Sequence, residues 1–463
     1  MAQTQPSYQL TSHPIGSIRE IWSISWPLML GLLSGSFMMF ADRWLLAHYS
    51  AAAMNSSAAA GTGAYALLVL PLIIAAISEV FVGKYHGANQ LQEVGKPVWQ
   101  MVWFSLLTIP LFLLGAEYLP TLFFYGAENA ELETIYFRWI IYFGSSFCTT
   151  MALMGFFVGI GHVKTVTVCT LLGNAVNVGL DILFIFGYGP FPEMGIKGAA
   201  LATGLAQLFQ TLFLLALFLK RSNRMTFGTG RWYFDFTCFK ESLRIGTPAG
   251  LGRFLEIMAH FVFFRIVMLS GTTNFTIITV IQSFYLLLSF LIEGLSKGVS
   301  TVIANLLGGK QNGLIAQVLK SAITLHVGFS AILAIGLLWF SEPLLLSFFM
   351  ESDRTLLYAS EYLSVAHTAL AWMCLFFLFD GFGWIFAGLL TASGDTKFLL
   401  YASMILNWGF YILPTYLLIG RGQGDASMGW MIIAFYAILT FLTYRWRYRS
   451  DKWLATSTSF AKA

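Results

Sequence analysis

The sequence predicts an all-α polytopic membrane protein with twelve transmembrane helices in two parallel-related six-helix lobes. Three observations predict it. The chain is too apolar to make a water-facing surface, with 57% hydrophobic and only 10% charged residues, against roughly 25% charged in soluble domains. Its apolar residues fall into twelve runs, each long enough to cross a bilayer at about 20 residues per span. The second half of the chain also repeats features of the first.

The spans follow in order. The first six cover approximately 21–46, 57–82, 97–120, 134–159, 166–187 and 196–219. The second six cover approximately 247–270, 275–303, 317–340, 362–390, 398–419 and 428–446. Residues 1–20 form a polar tail with Pro6 and Pro14, without the apolar core expected of a signal peptide. The expected organisation is a first lobe over 21–220, a polar connection over 221–246, a second lobe over 247–446 and a tail over 447–463. The mean hydropathy of +0.72 fits this reading. Cys148, Cys169, Cys238 and Cys374 are scattered through apolar segments and read as small buried hydrophobes rather than a disulfide or metal set.

Lysine and arginine placement orients the chain. With both termini in the cytoplasm, the inner side carries Lys84, Lys96, Lys164, Lys310, Lys320 and Lys397. The connection adds Lys220, Arg221, Arg224, Arg231, Lys240 and Arg244, and the end of the chain adds Arg445, Arg447, Arg449 and Lys452. The outer loops are acidic, with Glu128, Glu131 and Glu133 in one and Glu351 and Asp353 in another.

The repeat is visible in register. WPLMLGLL from Trp26 aligns with TPAGLGRF from Thr247, and VGKYHGA from Val82 with IANLLGG from Ile303, both at an offset of 221. Further on the offset becomes 233, where Gly161, Lys164, Asn174 and Gly187 fall on Gly394, Lys397, Asn407 and Gly420. An even number of spans per repeat brings both repeats into the membrane from the same side. That is the parallel class of transporter repeats, with an axis along the membrane normal and a cavity between lobes that opens alternately by rocking. Duplication that merely enlarges a bundle would leave the intramembrane charges without a purpose.

Those charges form two sets. Asp42 lies in the outer half of span one. Asp181 lies in span five, four residues after Asn177 and so on the same helix face. With Thr203 of span six, these residues are expected to make an oxygen-rich cluster in the first lobe. Two neighbouring carboxylates do not both ionise easily, so the cluster reads as a proton site, or as a hard-cation site where all four oxygens converge. Asp42 precedes Arg43, but adjacent helical residues diverge too far to pair directly. The second lobe has Glu256 in span seven and Asp380 in span ten, each roughly 12–15 Å deep at about 1.5 Å per residue. They are candidate ion-coupling residues and candidate Na+ ligands. Arg253, three residues before Glu256, either neutralises it or tunes its ionisation. An ionised side chain at the bilayer centre costs about 2.5–3.5 kcal/mol on insertion scales, so each of these positions calls for a function or a partner. Glu293 and Lys297, spaced four apart, are expected to pair, and Arg265 to reach the outer surface. The seven histidines show no metal-ligand spacing.

These segments resemble the multidrug and toxic compound extrusion (MATE) family over nearly the whole length. The resemblance is carried by SWPLML and FADRWLLAHY in span one, the Gly87-Ala88 end of span two, and GIGHVKTVTVCTLLGNAVNVGLDILFIFGYG with GIKGAALAT across spans four to six. In the second half it is carried by LRIGTPAGLGRFLE and LFDGFGWIFAGLLTASGDTK. It implies two six-helix lobes, alternating access, and efflux of organic, lipophilic cations against inward H+ or Na+, with no cofactor. It puts Asp42 on the family's span-one acid and Asn177, Asp181 and Thr203 on its first-lobe polar network. Glu256 and Asp380 fall on the second-lobe cation site of the NorM-type bacterial branch. Lys84, Arg43 and Arg253 depart from the family pattern. The expected partners are small organic molecules and membrane lipid rather than nucleic acid. The expected setting is a monomer in a bacterial inner membrane.

A flippase for lipid-linked precursors, of similar architecture, is the alternative. It would want a cationic cavity for pyrophosphate, which Arg43, Arg253 and Arg265 keep in view. An intramembrane aspartyl protease using Asp380 and Asp395 is disfavoured because Asp395 follows Ala-Ser-Gly rather than Gly-x-Gly. No metalloprotease helix motif, nucleotide loop or nucleophile elbow appears, so no enzyme is expected.

Overall fold

The computed structural model describes residues 10–127, 129–268, 272–343, 360–421 and 424–454. Glu128, Glu351 and Asp353 of the acidic loops lie outside the described residues. Among the described residues no strand is present, as expected where lipid offers the backbone no hydrogen-bond partners and each segment must satisfy its own.

The first half contains α1 (Ile18–Tyr49), α2 (Ala51–Ala76), α3 (Ser78–Gly87), α4 (Gly95–Leu107), α5 (Ile109–Phe123), α6 (Ala130–Tyr142), α7 (Gly144–Gly159), α8 (Val163–Phe186) and α9 (Gly195–Phe218). A short α10 (Arg221–Phe227) leads to α11 (Phe236–Met268), α12 (Thr272–Gly308), α13 (Ile315–Trp339), α14 (Ser360–Ser393) and α15 (Thr396–Ile405). A π-helical turn over Leu406–Ile412 joins α15 to α16 (Leu413–Leu418), and α17 (Ala426–Arg449) follows.

Ten helical stretches are long and apolar enough to cross a membrane, and α6 with α7, bent by 43°, makes an eleventh. The remaining long helix is α11, 33 residues, whose apolar run Arg253, Glu256 and Arg265 interrupt. The twelve spans expected from the sequence are thereby accounted for.

The chain divides into two compact units. Residues 27–251 with 304–312 belong to the first, and residues 12–26, 252–303 and those from 313 onward to the second. The division passes through α1 beside Pro27 and through α11 one turn after Pro248, prolines that occupy equivalent places in the two repeats. Proline has no N–H and so removes a helical hydrogen bond. Within the first unit, Thr167 donates to the Pro27 carbonyl at 2.6 Å.

Also within the first unit, α3 crosses the end of α12 on small residues. Gly83 faces Ala304, Gly87 lies against the backbone of Asn305, and Gly308 against that of Lys84. Small residues let helix backbones approach closely in a membrane, where packing rather than the hydrophobic effect drives association. Asn305 locks the crossing: its Oδ1 is 2.7 Å from His86 Nδ1, and its Nδ2 donates to the Gly159 carbonyl at 2.9 Å. The second unit has its own apolar core, where Phe263, Ile281, Leu370, Met373 and Trp430 are buried together.

One expected ion pair is not formed. Among the described residues Glu293 has no ion pair with Lys297; Lys297 is exposed while Glu293 is half-buried. A four-residue spacing shares a face only when both side chains turn along it, and here one stem turns outward.

Candidate functional site

In the first unit, α1, α6, α8 and α9 bring a polar cluster together inside apolar surroundings. Asp42 (α1), Asn177 and Asp181 (both α8) are buried. Their spacing puts Asn177 and Asp181 one turn apart on one face of α8, as the sequence predicts. The Asn177 carboxamide bridges two partners. With its nitrogen toward Asp181 Oδ2 at 3.3 Å, its oxygen accepts from the Thr203 amide and hydroxyl, each at 3.3 Å. Asp42 and Asp181 are close enough for each to feel the other's charge. Asn174, one turn before Asn177, donates to Ser34 Oγ at 2.7 Å. Arg43 is exposed, and its charge still reaches Asp42.

Two oxygens of the cluster, Asp42 Oδ1 and Asp181 Oδ1, are buried without a hydrogen-bond partner among the described residues. A buried, unpaired carboxylate oxygen is costly. Such a pair is relieved by a proton or a small cation.

The sequence did not single out Tyr136 of α6, whose hydroxyl lies 3.5 Å from Asp42 Oδ2, at the limit of hydrogen-bonding distance. A tyrosine in an apolar run reads as interfacial or core packing, and nothing in its spacing ties it to an acid 94 residues away.

In the second unit, α11, α12 and α14 bring Glu256, Arg253, Tyr285, Asp380 and Trp384 into one cluster. Arg253 Nη1 donates to Glu256 Oε1 at 2.9 Å. Its guanidinium lies over the Trp384 ring, 5.1 Å from the centroid, an attractive placement for a cation. Tyr285 donates to Asp380 Oδ2 at 2.8 Å. Glu256 and Arg253 both lie within electrostatic range of Asp380, and Tyr411, Tyr436 and Tyr444 all lie within range of Glu256. The cluster therefore holds two half-buried carboxylates, Glu256 bound by Arg253 and Asp380 bound by Tyr285.

The π-helical turn supplies a further polar pair. Asn407 is fully buried with neither amide atom partnered among the described residues, and the nearby Tyr411 hydroxyl is also buried and unpartnered. Single π turns recur at functional sites because the extra residue re-aims side chains. Asn407 could have been found: it is the repeat counterpart of Asn174. The π geometry had no signal in the sequence. Asp395 is accounted for otherwise, since Arg447 holds it with two hydrogen bonds of 2.6 and 3.2 Å.

The MatE family model matches residues 27–183 and, a second time, residues 248–417. The chain belongs to the MATE family. The two matches begin 221 residues apart (27 to 248), the offset read from the internal repeat. Among its relatives is the uncharacterized transporter YisQ of Bacillus subtilis, 24% identical over 95% of this chain and 96% of that protein. Another is the probable multidrug resistance protein NorM of Acinetobacter baylyi, 23% identical over 95% and 97%. An outward-facing multidrug resistance MATE transporter of the MOP superfamily shares the fold with a TM-score of 0.83 over 97% of this chain and 99% of its own, at 18% identity. This MATE-family chain is thus an integral membrane transporter and not an enzyme.

Proposed function

We propose that the chain is a secondary antiporter that expels small organic molecules, lipophilic cations above all, in exchange for H+ or Na+ moving inward. The observation that carries this reading is the presence, in each of the two units, of two acids among apolar helices, with Asp42 Oδ1 and Asp181 Oδ1 buried and unpartnered among the described residues. In this proposal the coupling ion and the organic cation compete for the same negative charge. Binding of either weakens the other by the same factor, as linkage requires. Alternating access of the duplicated halves then carries one ligand out and the other in. Each net charge moved inward gains about 2.3 kcal/mol per 100 mV.

In this proposal the residues take the following roles. Asp42, Asp181, Asn177 and Thr203 form the first-unit coupling site, with Asp42 and Asp181 taking up the proton. Glu256 and Asp380, with the Tyr285 hydroxyl beside them, supply oxygens of the kind Na+ prefers. Arg253 orients Glu256 and tunes its charge. The Phe-rich and Met-rich spans, with 43 Phe and 17 Met in the chain, suit a cavity tolerant of varied apolar shapes. We place both termini in the cytoplasm of a bacterial inner membrane and expect a monomer acting without a cofactor or nucleic acid. The flippase alternative is the less favoured reading because one of its cations, Arg253, is bound to Glu256.

The test uses purified protein in liposomes and follows efflux of a fluorescent organic cation under a proton gradient and, separately, a sodium gradient. Wild type should respond to one gradient and thereby name the ion, while Asp42→Asn and Glu256→Gln should stall. Transport under neither gradient would remove the cation-antiport reading. Wild-type behaviour of Glu256→Gln alone would reduce the second-unit cluster to a structural role.

A further inference from the structure

The stretch between α9 and α11 is not a slack linker. It is strapped along α4 by side chains that α4 and the turn before it present at nearly helical spacing. Gln92 donates to the Met225 and Thr226 carbonyls at 2.6 and 3.2 Å. Trp99 donates to Thr229 at 2.8 Å, and Trp103 to Trp232 at 3.2 Å. Gln100 donates to the Tyr233 carbonyl at 3.1 Å and accepts from the Asp235 amide at 2.9 Å. Lys96 closes the strap with a 2.6 Å ion pair to Asp235.

This pattern has a depth. Met225 and Thr226 sit at the level of Gln92, just before α4. Trp232 sits at Trp103, eight residues past Gly95, about 12 Å along the helix axis. The chain then climbs back, with Asp235 at Lys96. The strap therefore dips toward the apolar part of the span and returns. Irregular backbone is costly where water is thin unless its polar groups are satisfied. Here Gln92 and the side chains of α4 satisfy the carbonyls of Met225, Thr226, Thr229, Trp232 and Tyr233.

The side chains sort by that depth. Trp232, Tyr233 and Phe234 are exposed around the tip, Trp232 at 65%. Lys220, Arg221, Arg224 and Lys240 are exposed at the shallow ends and have no ion pair among the described residues, while Arg231 pairs with Glu93 at 3.8 Å. Aromatic rings seek the headgroup boundary, and clustered basic residues beside it attract anionic headgroups. The two carboxylates of the segment do not cancel this charge: Asp235 is taken by Lys96, and Glu241 is half-buried.

We propose that this strap is a binding site for anionic phospholipid, with Trp232 and its neighbours seated at the headgroup–acyl boundary and Lys220, Arg221 and Arg224 on the phosphate. The site lies outside both acid clusters, and its test needs no transport. The full chain is reconstituted in phosphatidylcholine vesicles holding a fixed fraction of lipid brominated high on the acyl chain, either phosphatidylglycerol or phosphatidylcholine. The difference in tryptophan quenching between wild type and Trp232→Phe isolates Trp232.

The expected result is quenching of Trp232 roughly two- to threefold stronger by the anionic brominated lipid. It should fall to the phosphatidylcholine level in Lys220→Gln/Arg221→Gln/Arg224→Gln and in high salt. Unchanged quenching of the remaining tryptophans reports that the variant is folded. Equal quenching by both lipids in wild type would overturn the headgroup preference. No quenching of Trp232 by either would overturn its seat in the membrane.

Discussion

Gly87 and Gly308 hold equivalent places in the two repeats, and each lies against the backbone carbonyl of the residue that is the other's neighbour: Asn305 for Gly87, Lys84 for Gly308. With the offset of 221, Lys84 and Asn305 are themselves counterparts. The contact, which lies within the first unit, is therefore self-complementary.

A methyl group at either glycine meets main chain rather than a side chain that could move aside. Gly87→Ala and Gly308→Ala should each lower stability by about 1–3 kcal/mol, read as thermal unfolding in detergent. Gly83→Ala, whose new carbon would meet the Ala304 side chain at 2.9 Å, should cost less. Neutral behaviour of Gly87→Ala would show that the helices separate without penalty.

The two tyrosine–aspartate contacts differ in length and should differ in weight. Tyr285→Phe removes a 2.8 Å hydrogen bond to Asp380, and hydrogen bonds to charged groups contribute about 1.5–3 kcal/mol. Tyr136→Phe removes one of 3.5 Å and should change stability by less than about 0.5 kcal/mol. Equal losses from the two variants would contradict this ordering.

Arg253 and Glu256 invite a double-mutant cycle. Removing one partner strands the other beside apolar helices, so Arg253→Leu and Glu256→Leu should each destabilise by about 1–3 kcal/mol. The double variant should recover most of that loss. Transport should stay absent in the double variant when Glu256 carries the coupling charge. Restored transport would show the pair to be structural.

Asn407 offers an inverse experiment. Among the described residues both of its amide atoms are buried and unpartnered, so Asn407→Leu should raise stability by about 1 kcal/mol or more. A gain in melting temperature with a loss of transport would mark the amide as retained for function. A loss of stability would show that the side chain has partners when the site is filled.

The strap should loosen in acid. Burial alone would push the Asp235 carboxyl up, but the hydrogen bond and charge of Lys96 hold it below the usual carboxylate range. A carboxyl with a depressed folded value stabilises the fold above its unfolded value and loses that contribution as the pH falls through the folded one. The hydrogen-exchange protection of residues 225–235, taken relative to the intrinsic rate at each pH, should thus be unchanged from neutral pH down to about 4 and fall below it. In Asp235→Asn this acid-dependent step should vanish.

Much of this protein was legible from the chain alone. Spans are legible because a bilayer demands uninterrupted apolar length, and the duplication because both copies kept Pro27 and Pro248, Gly87 and Gly308, Asn174 and Asn407. Asp42, Asp181, Glu256 and Asp380 stood out because lipid makes an unexplained charge conspicuous. Asn177 joined Asp181 because a helix places residues four apart on one face. Tertiary structure alone decided the rest. Tyr136 and Tyr285 reach their acids across 94 and 95 residues, and in an apolar run their rings look like packing. Whether Glu293 meets Lys297 depended on rotamers, and the π turn at Leu406–Ile412 on local packing. Periodicity records which face of a helix is apolar. Which side chain completes a polar site is settled only when distant helices are brought together and each buried oxygen must find its partner.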